Sequence, residues 1–162
     1  MTALRQRRGR GLAAQPTASA TVLLTSTDGS FSPEAIRLAA ETAGRTSVAV
    51  VVITRIHGYA LGIPNPGLMP TRKEQDAATK AVAQAVRALK RHGVTSDGQV
   101  AATRSATKTI ARIARVRDVR HIVLDSSAEG SRLRRLIEGD PAAGLRRRLN
   151  PAVDLHIVRR GP

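Results

Sequence analysis

A chain of 162 residues without cysteine carries 27 Lys and Arg against 12 Asp and Glu, a formal net charge of +15. The length suits one domain with its own core, and the lack of Cys excludes disulfides and thiolate metal sites. A pI near 11.8 points to a polyanionic partner, while Phe31 and Tyr59 alone exclude an aromatic stacking platform for single-stranded nucleic acid.

Residues 1–18 read as a basic disordered tail. Arg5, Arg7, Arg8 and Arg10 cluster there with no acid among them. The α/β domain is expected from 19 to 162. Thr21–Thr25 is a short apolar run, a buried first strand. Ser32-Pro33-Glu34 opens a helix as N-cap, N1 and first-turn acid, and Gly44 ends it. Val48–Ile53 is apolar at every position, as a parallel strand covered on both faces must be. It is also the longest apolar run, far short of the ~20 residues that span a bilayer. Leu12–Ala14 is too short for a signal-peptide core. A soluble, cytoplasmic protein is the expectation.

His57 to Pro70 is a Pro/Gly-rich loop. Its apolar Tyr59–Met69 stretch reads either as a lid on the sheet edge or as a docking loop for a larger complex. Thr71 caps a helix running to about His92, with Ala78, Val82, Ala85, Val86 and Leu89 as its buried stripe. Gly98–Ala102 is a weak strand, and Thr107 to about Arg117 a helix with Ile110, Ile113 and Ala114 inward. His121–Asp125 is a strand, residues 126–140 a Gly/Ser/Arg-rich segment, Pro141–Leu149 a last helix and Asp154–Val158 a last strand. Strands alternating with helices predict a single Rossmann-like α/β domain, a five-stranded parallel sheet with helices on both faces. Ligands of such sheets lie beyond the carboxyl ends of the strands, where the strand order switches.

No catalytic constellation is visible: no nucleophile elbow, no Walker lysine and no close carboxylate pair. None of His57, His92, His121 and His156 stands in a metal-ligand spacing, so no metal site is expected. Two strand ends carry polar loops. Asp28-Gly29-Ser30 follows the first strand. Asp125-Ser-Ser-Ala-Glu-Gly130-Ser131-Arg132 and Gly139-Asp140 follow the fourth, where exposed N–H groups at a helix start favour anions.

On those residues, the Ala-rich first helix, the segment Gly130-Ser-Arg-Leu-Arg-Arg-Leu-Ile-Glu-Gly139 and the closing Pro151-Ala-Val-Asp-Leu-His-Ile-Val158, the chain resembles the universal stress protein family over about residues 20–160. The resemblance implies a Rossmann-like five-stranded fold and a homodimer through the last strand. In some members it also implies binding of ATP or another adenine nucleotide. The binders carry G-x2-G-x9-G-[S/T] after the fourth strand and an Asp after the first that touches the nucleoside. Carried over, the nucleotide-binding residues are Asp28, Gly29, Ser127, Gly130, Ser131, Arg132 and Gly139.

The pattern is broken here. Counting back from Gly139 puts Glu129 and Ser126 where Gly is expected. With Gly130 as the second Gly, the loop is one residue short and Ser127 replaces the first. In either register Asp140 replaces Ser or Thr, placing a negative charge where a phosphate would sit. The expectation is a non-enzymatic universal stress protein-like binding or regulatory protein with a degenerate adenine-nucleotide site. A functional ATP-binding stress protein is one alternative.

Another is an accessory subunit of a large assembly. Arg112 and Arg115, Arg134 and Arg135, and Arg146, Arg147 and Arg148 form further basic clusters. With the tail's Arg5, Arg7, Arg8 and Arg10 they make a polyanion-binding surface, suited to RNA or a ribosome and equally to an acidic protein complex or anionic membrane.

Overall fold

The computed structural model describes residues 20–56, 69–127 and 141–160. The tail and most of the Tyr59–Met69 loop lie outside them. So do Gly130, Ser131, Arg132, Arg134, Arg135 and Gly139. The elements run β1 Val22–Ser26, α1 Pro33–Ala43, β2 Ser47–Arg55, α2 Arg72–Arg91, β3 Thr95–Thr103, α3 Ala106–Val116, β4 His121–Ser127, α4 Pro141–Arg146 and β5 Asp154–Arg160. The five strands pair in parallel in the order β3-β2-β1-β4-β5.

Alternation along the strands splits the core in two. Val22, Leu24, Val48, Val50, Val52 and Val123 face α1 and α2, where Ala35, Ala39, Ala78, Val82 and Leu89 meet them. Leu23, Ala49, Val51, Ile53 and Ile122 face the other side, against Ile110, Ile113 and Ala114 of α3 and Leu145 of α4. Helices therefore cover both faces, as the apolar run of β2 requires. Val86, expected in the buried stripe of its helix, is half-buried at the margin of the core, as is Ile36 of α1.

The predicted helix starts are present. The Ser32 hydroxyl accepts from the Ala35 N–H at 3.1 Å, with Pro33 at the first helical position. Thr71 and Glu74 form a reciprocal capping box: the Thr71 N–H donates to Glu74 Oε2 at 2.7 Å, and the Glu74 N–H to Thr71 Oγ1 at 3.2 Å.

Several boundaries differ from the sequence expectation. β1 runs from Val22 to Ser26 rather than Thr21 to Thr25. α4 stops at Arg146, short of Leu149. β3 is nine residues long, paired with β2 from Thr95↔Ser47 to Thr103↔Arg55. Its polar residues hid it, because an edge strand has few fully buried positions to mark its period. β4 extends to Ser127 and β5 to Arg160. β5 pairs only with β4 and forms the other edge.

Arg117, at the end of the helix that carries Arg112 and Arg115, is buried. It makes a two-pronged pair with Asp97 of β3, with N···O distances of 3.0 and 2.6 Å.

Gly98 of β3 lies under α2. A methyl group there would overlap Val82 Cγ1 and stand 3.2 Å from Val86 Cγ2. Both neighbours are β-branched and stiff at χ1. Gly98→Ala is therefore expected to destabilise by about 1–3 kcal/mol, read as a lower midpoint in urea. Adding Val82→Ala should recover part of the loss, which a purely conformational effect at Gly98 would not allow.

Candidate functional site

The strand order reverses between β1 and β4, so the crevice at their carboxyl ends is where a ligand of this architecture is expected. A charged cluster occupies it. Asp28, carried just past β1, accepts from the Ser26 hydroxyl at 2.7 Å and the Ser30 N–H at 3.2 Å. Gly29 makes that turn at φ +83°, where a side chain would be strained. Asp125, inside β4, is wholly buried and accepts from the Ser32 N–H at 2.5 Å, so its charge sits at the amino end of α1.

Both carboxylates are held by Arg160, from the end of β5. Its Nε donates to Asp125 Oδ1 at 2.9 Å and its Nη1 to Ser30 Oγ at 2.7 Å. Its Nη2 lies 2.8 and 3.0 Å from the two Asp28 oxygens and 2.9 Å from the Ser30 carbonyl oxygen. The Arg160 side chain is 27 % exposed and the Asp28 side chain 19 %. Partial burial alone would lower the Arg160 pKa. The hydrogen bonds and charges of Asp125 and Asp28 outweigh that and hold it above its ordinary value. For a base with a raised pKa, the pairing contributes fully below the unfolded-state pKa and is lost only as pH rises through the folded one. Changes around neutral pH therefore leave Arg160 charged.

Beside the cluster, at the ends of β1 and β2, is a cavity of about 240 Å³ lined by Asp28, Gly29, Thr54, Arg55, Glu74 and Ala78 among others. The buried Thr54 Oγ1 finds no hydrogen-bond partner among the described residues. The volume is below the ~300–1,000 Å³ usual for small-molecule pockets, and the Asp28 carboxylate is already engaged.

Of the residues expected to bind nucleotide, Asp28 and Gly29 stand at the crevice and Ser127 ends β4. Gly130, Ser131, Arg132 and Gly139 lie outside the described residues. Asp125 and Arg160 were missed as site residues. The available signal was an acid following the apolar Ile122-Val123-Leu124 in a parallel strand, which demands a counter-charge. Of the expected polyanion set, Arg112, Arg115, Arg146, Arg147 and Arg148 are exposed, and Arg115 and Arg148 line one groove between α3 and the segment after α4.

His121 and His156 lie close, ring centroids 5.9 Å apart, with His121 Nδ1 3.5 Å from Asp154. No group of three metal-ligating side chains occurs among the described residues. No described helix is long and apolar enough to cross a membrane.

No protein-family profile matches the chain, and no curated protein is similar to it in sequence. Solved structures resemble it in fold. A universal stress protein from Archaeoglobus fulgidus superimposes with a TM-score of 0.61 at 18 % identity, over 86 % of this chain and 93 % of that one. A universal stress protein from Archaeoglobus fulgidus in complex with dAMP gives 0.56 at 18 %, over 85 % and 96 %. A universal stress protein in complex with cAMP gives 0.61 at 16 %, over 89 % and 100 %. At such identities the likeness is one of fold, and it agrees with the parallel sheet and its two helical layers: this chain has the universal stress protein fold.

Proposed function

We propose that this protein is a non-enzymatic binding or regulatory protein of the universal stress protein type, whose adenine-nucleotide crevice is closed by its own Arg160. The observation that carries the reading is the contact of Arg160 with Asp28 and Asp125. A nucleoside hydroxyl seeking Asp28 must displace a cation bound to two carboxylates, one of them wholly buried. A neutral hydroxyl replaces neither that charge nor its several hydrogen bonds. The same pairing argues against acid/base chemistry, because it holds both carboxylates as counter-ions. Two solved proteins of this fold carry cAMP and dAMP, so an adenine nucleotide is the natural ligand to test.

The test is thermal unfolding with ATP and with cAMP, together with phosphate release from ATP. A ligand at a hundred times its Kd would stabilise the chain by about 2.7 kcal/mol and raise the midpoint by about 5 °C or more. No shift and no phosphate release above a protein-free control are expected. Micromolar ATP binding that disappears in Asp28→Ala would overturn the closed-crevice reading.

A further inference from the structure

A larger concavity adjoins the crevice at Ser30, whose side chain Arg160 holds. It is a groove of about 810 Å³ between α1 and α2. Its floor is apolar: Phe31 and Ile36 from the start of α1, and Ala81, Ala85 and Ala88 from α2. The three alanines fall on one face of α2, and their short side chains leave the space open. Phe31, Ile36 and Ala81 rest on the buried core beneath, so the floor is firm. The rim is cationic. Arg87, Lys90 and Arg91 follow one another at helical spacing, all exposed, and no acidic residue among the described ones lines the groove. None of the three makes an ion pair with a described residue.

We propose that this groove docks an acidic amphipathic helix of a partner protein. An apolar floor beside unneutralised cations calls for an occupant with an apolar ridge flanked by carboxylates. Ala81 to Arg91 spans about 15 Å of helix, or about three turns, which sets the occupant's length. This chain does not supply it. Residues 1–18 carry four arginines and no acid, residues 57–68 carry no acid, and residues 128–140 balance three acids with three arginines. A second copy brings a net charge of +15 toward a basic rim and is repelled. A nucleic-acid backbone would satisfy the cations and leave the apolar floor unmatched. The inference goes beyond the closed crevice, and neither depends on the other.

The test is fluorescence anisotropy with the full chain and a labelled three-turn peptide carrying Leu at i, i+4 and i+7 and Glu on the flanks. A shuffled peptide of identical composition, an oligo-uridylate and phosphatidylglycerol vesicles are the other probes. The patterned peptide is expected to bind about tenfold more tightly than the shuffled one. R87E/R91E is expected to weaken it by about tenfold or more, with Lys90→Glu as a milder second variant. Ala88→Leu, which fills the floor without changing charge, is expected to weaken it as well. K108E/R120E, an equal change in net charge at exposed positions elsewhere, is expected to leave most of the affinity. Three results would overturn the proposal: equal binding of the shuffled peptide, equal loss from K108E/R120E, or an α2 reversal that abolishes oligo-uridylate or vesicle binding and spares the peptide.

Discussion

Arg160→Ala is expected to lower the unfolding free energy by about 3 kcal/mol, a drop in midpoint of about 6–12 °C for a domain of this size. The reason is Asp125, which is wholly buried and keeps only the Ser32 N–H once the guanidinium is gone. The partial exposure of Arg160 and Asp28 places the estimate at the lower end for breaking a buried pair. Asp125→Asn combined with Arg160→Ala isolates the cause. The amide keeps an oxygen for the Ser32 N–H and removes the stranded charge, so the double variant should melt above Arg160→Ala alone. If it melts lower, the loss belongs to packing at the end of β5 rather than to the charge. A single variant within about 1 °C of the wild type would show that the cluster holds the crevice only weakly.

The second large effect is at Asp97. Asp97→Ala is expected to cost about 2–3 kcal/mol, because the Arg117 guanidinium, 3 % exposed, loses a bidentate carboxylate. Asp97 is itself 36 % exposed, so entering water limits the loss. The pair ties the end of α3 to the edge strand β3, and Arg117 also receives the chain on the way into β1 through its carbonyl, to which the Ala20 N–H donates at 3.0 Å. Glu41→Ala is the control. Its pair with Arg37 spans 3.9 Å between side chains about two-thirds exposed, and such a pair contributes at most about 0.5 kcal/mol. Urea unfolding of the two variants side by side checks the contrast. Equal losses would mean that burial does not govern ion-pair strength here.

Most of the fold was legible because its signals are local. An apolar run marks β2, Ser32-Pro33 starts α1, and Thr71 with Glu74 starts α2. Where burial supplies no period, as along β3, the boundaries blurred. Short-range chemistry also sets Asp28 in a turn after β1, because a strand-ending Asp-Gly-Ser makes its own turn. Local signals along the chain thus specify a parallel α/β sheet, its helix caps, its polar strand ends and its excess of positive charge. They could not say what Asp28 would face. Only the strand order β1-β4-β5 lays the end of the last strand across the first loop, bringing Arg160 to Asp28 over 132 residues of chain. A buried carboxylate binds whichever cation the fold carries within reach, and that distance is set by the sheet rather than by neighbours in the sequence.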